Sequence, residues 1–237
     1  MSFEKVVIGD ATLYHGDCLE VLAGLKPEGG CVVTDPPYGM DYQSGHATDA
    51  LWSGRVIQGD KTTALRDAVL AWADGLPVLC FGTWKVVRPA ATKIVLVWDK
   101  GGALGMGDLR LPWKADHEEI YVIGNGFAGE RDCGSVLRHP PVQSMAKNGR
   151  EHPNQKPLSL MHDLIRKTPG LVRDPFMGSG STGVAAIQAG RPFIGVEEDR
   201  RYFEIACRRI EQAVAQGQLF APELSKQEQV GLFEEAA

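Results

Sequence analysis

No run of apolar residues in this chain approaches the roughly 18 that a membrane-crossing helix needs. The first residues, Met1 to Lys5, are polar and charged and lack the basic-then-apolar pattern of a secretion signal. Cysteine is sparse. Cys18, Cys31, Cys80, Cys133 and Cys207 are odd in number and form no Cys-x-x-Cys pair, so neither a disulfide framework nor a metal site is expected. The chain reads as cytoplasmic and reduced, with no membrane partner. Positive charge is also in short supply: 25 Lys and Arg face 30 Asp and Glu, a net charge of −5. Bulk charge therefore does not announce a nucleic-acid binder. Internal repeats and low-complexity tracts are missing as well.

What is present is an ordinary globular composition, 43% apolar and 23% charged, in a length that fits one domain. Charge is unevenly spread. Arg131, Arg138, Lys147, Arg150 and Lys156 face only Asp132 and Glu151 in the stretch from Arg131 to Lys156. After Gln216, Glu223, Glu228, Glu234 and Glu235 face only Lys226. An acidic tail of this kind masks a basic working face, although the middle stretch alone reads equally well as a solvated loop.

Strand-like and helix-like patterns alternate, which predicts an α/β fold with a largely parallel sheet. Val6-Val7-Ile8 and Thr12-Leu13-Tyr14 flank Gly9-Asp10 as a hairpin. A short helix from about Cys18 to Leu25 follows, then a buried strand Cys31-Val32-Val33-Thr34, halted by Asp35-Pro36-Pro37 because proline cannot extend a ladder. The polar segment from Gly39 to Asp60 reads as a long functional loop. Next come a helix near Thr63 to Trp72 and strands at Val78–Phe81, Ile94–Trp98 and Glu119–Ile123. A helix opens at Pro157, a favoured first-turn residue. Leu171-Val172 is a strand ending in Asp174-Pro175-Phe176. A glycine-rich turn then leads into a helix from Ser181 to Ala189, a strand Phe193–Val196 ending at Glu197-Glu198, and a last helix from about Arg200 to Ala215.

Two signals carry chemistry. Asp35-Pro36-Pro37-Tyr38 lies at the carboxyl end of a buried strand, where ligands of open α/β sheets bind. A base amino nitrogen is a poor nucleophile because its lone pair is delocalised into the ring. The Asp35 carboxylate and the Pro36 carbonyl, each accepting one N–H, favour a pyramidal nitrogen and stabilise the positive charge that develops on it. Pro36 and Pro37 stiffen the loop, and Tyr38 offers a face on which an extruded base stacks. The bland reading of these four residues is a proline turn capped by an aspartate.

The second signal runs Asp174-Pro175-Phe176-Met177-Gly178-Ser179-Gly180-Ser181-Thr182. Its glycines let backbone approach a ligand closely, and no Gly-Lys-[Ser/Thr] follows, so it is not a phosphate loop. Glu197, at the end of the next strand, is placed to accept hydrogen bonds from both ribose hydroxyls of an adenosine-type cofactor. As a generic pattern this nucleoside half-site equally suits a dinucleotide dehydrogenase.

With both signals in this order, the chain resembles the circularly permuted (β-class) DNA amino-methyltransferases, in which the Asp-Pro-Pro-Tyr motif precedes the cofactor motif. Gly16-Asp17-Cys18-Leu19-Glu20-Val21-Leu22 resembles the family's N-terminal motif, whose aspartate contacts the cofactor adenine and maps onto Asp17. His152-Pro153-Asn154-Gln155-Lys156-Pro157 resembles the segment before the cofactor half, which assigns Lys156 to cofactor binding. Phe193 to Tyr202 resembles the ribose-acid strand and its helix. Trp98-Asp99-Lys100-Gly101 and His117-Glu118-Glu119 match weaker signatures. The resemblance reaches to about Ala215.

It implies a Rossmann-like methyltransferase fold: a twisted seven-stranded, mostly parallel sheet with helices on both faces. The implied catalytic residues are Asp35, Pro36, Pro37 and Tyr38. The implied S-adenosylmethionine-binding residues are Asp17, Lys156, Asp174, Phe176, Gly178, Ser179, Gly180, Ser181, Thr182 and Glu197. The resemblance also implies that methyl passes to adenine N6 of a flipped DNA base by direct displacement. The chain has no Pro-Cys dipeptide, the nucleophile motif of C5-cytosine methylation. Aspartate at the head of the tetrad favours adenine, since N4-cytosine members more often carry serine there.

Residues 1–215 are expected to form one methyltransferase domain, monomeric or homodimeric, with a catalytic half over 1–124 and a cofactor half over 152–215. Between them, 125–151 is a short stretch for target recognition, and compact forms of this kind resemble stand-alone phage or mobile-element enzymes. Alternatives are N4-cytosine methylation and an inactive DNA-binding regulator; a protein-glutamine or RNA methyltransferase fits less well, because such enzymes place the cofactor motif first. Residues 216–237 read as an acidic flexible tail. Within it, Gln229, Val230, Leu232 and Phe233 resemble peptides that dock on bacterial sliding clamps.

Overall fold

The computed structural model describes residues 3–40, 60–102, 110, 112–142 and 155–219. Among them nine strands form one sheet in the order β1-β2-β9-β8-β3-β4-β6-β5-β7. The strands are β1 (Glu4–Ile8), β2 (Ala11–His15), β3 (Cys31–Thr34), β4 (Val78–Gly82), β5 (Thr92–Asp99), β6 (His117–Ile123), β7 (Val136–Arg138), β8 (Val172–Asp174) and β9 (Phe193–Glu197). From β2 through β4 the neighbours are parallel. The N-terminal hairpin and the pairings of β6 are antiparallel.

Four helices lie between strands, α1 (Cys18–Ala23), α2 (Ala64–Trp72), α3 (Leu158–Ile165) and α4 (Ser181–Gln188), and α5 (Arg200–Leu219) follows β9. The central strands bury both faces, as a covered parallel sheet requires. Cys31 and Val33 of β3, and Leu79 and Phe81 of β4, join the core that also holds Leu160, Met161, Ala185 and Ile210 of α3, α4 and α5. Val32, Val78 and Cys80 point the other way, into a second cluster with Ala73 and Leu76. On that second face Val21 and Leu22 of α1 pack with Val69 of α2 and Val196. Each such aliphatic burial contributes about 1.5–3 kcal/mol.

The sheet is wider than the seven strands expected. The hairpin accounts for one extra strand, and β7 for another. Three residues at an edge, with only Leu137 buried, are too short to show an alternation. β7 also lies inside the 125–151 stretch assigned to target recognition, so part of that stretch belongs to the sheet. Helix α5 continues to Leu219, past the expected start of the tail. Residues 41–59 of the Gly39–Asp60 loop, the His152–Asn154 part of the motif before α3, and the clamp-like Gln229–Phe233 lie outside the described residues. Among the described residues, no helix is long and apolar enough to cross a membrane.

The connections β3–α2–β4 and β8–α4–β9 run outward in opposite directions from the adjacent pair β3 and β8. A crevice opens where the winding reverses, at the carboxyl ends of those two strands. Asp35 follows one strand and the glycine turn follows the other.

Candidate active site

Four strand ends deliver the site to one edge. Asp17 follows β2, where it caps α1 by accepting the Glu20 N–H at 3.0 Å. Glu197 ends β9, in register with His15 of β2, and its main-chain carbonyl accepts the Gly16 N–H at 3.0 Å. Asp17 and Glu197 are thereby neighbours. The Glu197 carboxylate accepts N–H bonds from Gly178 at 2.9 Å and Asp199 at 2.8 Å. Burial pushes its pKa up to about 7, against the pull of those two N–H donors.

The turn between β8 and α4 is folded by Gly178 and Gly180, with φ of 52° and 78°, in the left-handed region that favours glycine. At Gly180 a Cβ would also meet Ala206 of α5 at 3.0 Å, so the turn is pressed against that helix. Phe176 and Gly178 keep partial exposure, while Ser179, Ser181 and Thr182 are buried. The Ser179 hydroxyl and carbonyl both accept from the Arg209 guanidinium.

Asp174 is 3% exposed and its carboxylate is filled from three sides. It accepts from Thr34 Oγ1 at 2.7 Å, Thr182 Oγ1 at 2.6 Å and the Phe176 N–H at 3.1 Å. These bonds tie β3, β8 and α4 together, and so lock the Asp35 side of the crevice to the glycine-turn side. Asp174, expected from the sequence at the cofactor, also ties the turn from behind. Asp174→Ala leaves two buried hydroxyls and an N–H unpartnered, at a cost of about 2–3 kcal/mol. The melting temperature is expected to fall by roughly 4–12 °C in a calorimetric scan; an unchanged transition would refute the tie.

On the other side of the crevice, Asp35 is half-buried after β3. Tyr38 Oη donates to Asp35 Oδ1 at 2.7 Å, and Lys156 Nζ contacts Asp35 Oδ2 at 2.8 Å. Lys156 is buried and also contacts Glu118 Oε2 at 2.8 Å. The other Glu118 oxygen meets Lys100 Nζ at 2.6 Å. The Lys156 ammonium lies 4.5 Å from the Phe81 ring centroid and 5.5 Å from that of Trp98. Desolvation raises the Asp35 pKa in spite of Lys156. For Glu118 burial pulls upward too, but the two ammonium groups outweigh it and hold the carboxyl low.

Lys156, expected among the cofactor-binding residues, therefore stands beside Asp35 and Glu118. Glu118 and Lys100 were not singled out as site residues. The available signal was the Glu118-Glu119 pair opening the apolar run Ile120 to Ile123: an acid at a sheet edge followed by buried residues. Its neighbour Glu119 has a different partner, the guanidinium of Arg88. Close by, the Asp60 carboxylate accepts the Gly39 N–H at 2.7 Å and so pins together the two ends of the 39–60 segment. Gly39 has φ of 76°, and a Cβ there would lie 2.6 Å from the Thr62 carbonyl carbon, so that closure requires glycine.

The fold and the site have counterparts among known proteins. The DNA methylase family profile matches residues 112–208. YubD, a candidate methylase of Escherichia coli (strain K12), is 30% identical over 228 residues, 86% of this chain and 92% of YubD. The chain belongs to this DNA methylase family. Among solved structures, M1.HpyAVI as its SAM complex superposes with a TM-score of 0.59 at 24% identity, over 84% of this chain and 99% of that one. The cytosine-N4-specific PvuII DNA methyltransferase superposes with a TM-score of 0.66 at 15% identity, over 91% and 94%. At these identities the structural likenesses establish the Rossmann-like fold.

Proposed function

We propose that this protein transfers the methyl group of S-adenosylmethionine to adenine N6 of a DNA base extruded into the crevice. One observation carries the reading. The Thr34–Asp174–Thr182 hydrogen bonds hold an amino-accepting carboxylate, Asp35, in fixed relation to a nucleoside half-site built from Gly178 and Glu197.

The residues at the turn fit the cofactor. Both Glu197 oxygens keep a lone pair beyond the two N–H bonds they accept, which leaves acceptors for the two ribose hydroxyls. Asp17 stands on the adjoining strand end for the adenine, and half-buried Phe176 supplies an apolar wall. When bound, S-adenosylmethionine supplies an electrophilic methyl on a sulfonium. Asp35 and the Pro36 carbonyl then accept the two amino N–H bonds of the base and stabilise the charge growing on nitrogen. Tyr38 stacks on the base.

The chain order, with Asp35 ahead of Gly178, supports the permuted β-class arrangement. A recognition stretch partly taken up by β7 supports a compact, short-specificity enzyme of the stand-alone phage type, acting as a monomer or homodimer. Exposed Trp84 and Trp113, beside Lys85 and Lys114 at the same sheet edge, suit contact with DNA flanking the extruded base. Docking of the Gln229–Phe233 segment on a sliding clamp is a separate proposal that rests on its sequence alone.

Aspartate at the head of the tetrad favours adenine over cytosine. Nucleoside mass spectrometry of DNA methylated by the protein is expected to show N6-methyladenine and no 5-methylcytosine. N4-methylcytosine as the sole product would move the assignment to cytosine and leave the fold untouched.

A further inference from the structure

We propose that Lys156 is the positioning residue of Asp35, held in place by Glu118 and Lys100, and that this buried chain of charges aims the carboxylate at the base amino group. The inference rests on the methyl-transfer reading above. Four charges alternate, Asp35, Lys156, Glu118 and Lys100, with contacts of 2.8, 2.8 and 2.6 Å. The sum is neutral, which is what a partly dry site tolerates.

Lys156 fixes Asp35 through Oδ2 alone. That leaves Oδ1 as the oxygen for an incoming N–H, and at rest it is covered by the Tyr38 hydroxyl. Glu118 Oε2 lies 3.4 Å from the same hydroxyl and is the acceptor to which Tyr38 turns when a base takes Oδ1. Glu118 thus has two tasks: it holds the ammonium and receives the displaced hydroxyl. The phenyl ring of Phe81 and the indole of Trp98 confine the ammonium from the apolar side.

The groups that face Asp35 are Tyr38 on its own loop, Lys156 before α3 and Glu118 on β6; Cys80 of β4 and Asp174 of β8 lie farther back. Among these, Lys156 is the cation that offsets two carboxylates. Without it, Asp35 and Glu118 face each other, and one of them takes up a proton.

The test is the pH profile of single-turnover methyl transfer to DNA, with S-adenosylmethionine affinity measured by calorimetry on the same proteins. In Lys156→Gln the rate near neutral pH is expected to fall on the order of 100-fold. Its acidic limb should move to higher pH, because Asp35 must be ionised to accept the N–H. Cofactor affinity should stay within about twofold, since the turn is untouched. In Glu118→Gln/Lys156→Gln the second carboxylate charge is gone, so the limb should move back and about tenfold of the rate should return. Lys100→Gln, a milder change, should shift the limb in the same direction by less.

A loss of cofactor affinity in Lys156→Gln matching its loss of rate would return Lys156 to the cofactor and overturn the proposal. An unmoved limb, with the double variant no better than the single one, would reduce the chain of charges to packing and overturn it equally. Absence of methyl transfer by the unaltered protein, while it binds the cofactor, would instead sink the methyl-transfer reading, and this inference with it.

Discussion

Asp35→Ala is expected to lower methyl transfer to DNA by 10²–10³-fold or more, the cost of removing one acceptor aimed at a developing charge. The acceptor acts on the nitrogen only as its lone pair becomes available, so the loss belongs in kcat, with DNA binding little changed. The cofactor should bind as before. β8 lies between the strand that carries Asp35 and the strand that ends at Glu197, and Asp174, which ties the two sides, keeps its partners in the variant. Lys156 also keeps a counter-ion in Glu118, so the variant is expected to fold. Calorimetry with S-adenosylmethionine and a single-turnover methylation assay read the two effects separately.

Glu197→Ala should give the complementary result. Loss of charge-assisted hydrogen bonds to the ribose weakens cofactor binding by about 1–3 kcal/mol, or roughly 5- to 150-fold in Kd. The pH dependence is a sharper signature. Burial raises the Glu197 carboxyl to about 7. The ionised form is the better acceptor for two hydroxyls, so cofactor affinity should rise with pH through about 7 and level off above it. Below that pH the carboxyl is protonated and affinity falls. In Glu197→Ala this step should vanish. A flat profile in the unaltered protein, or a cofactor-binding defect in Asp35→Ala but not in Glu197→Ala, would exchange the two roles.

The elements that place the site were legible because their patterns are local. Cys31-Val32-Val33-Thr34 is a fully buried strand that Pro36 and Pro37 must end, and β3 ends there. Gly178 and Gly180 announce a turn that only glycine makes easily, and the helix after it begins at Ser181, as read. Glu197 at the end of β9 followed from the same logic. Partnerships across the sheet were not legible. Lys156 lies 38 positions from Glu118 and 121 from Asp35 in the chain, and only the antiparallel insertion of β6 beside β4 brings Glu118 to that edge. The motif around Lys156 said that a lysine belongs there, but not which carboxylate it meets.

The tie that Asp174 makes was hidden for a related reason. An acid just before a glycine turn reads as a ligand contact, whereas Thr34, 140 positions away, fills one of its oxygens. The narrow edge strand β7 escaped because three residues show no period.

The claim that most needs testing is that the Asp35 loop and the Gly178–Glu197 half-site form one active site. A crystal structure of the protein soaked with S-adenosylmethionine tests it most directly. The ribose hydroxyls are expected on the Glu197 carboxylate, the adenine beside Asp17, and the sulfonium methyl directed across the crevice toward Asp35. A cofactor seated away from Glu197, or one whose methyl points away from the Asp35 loop, would contradict it.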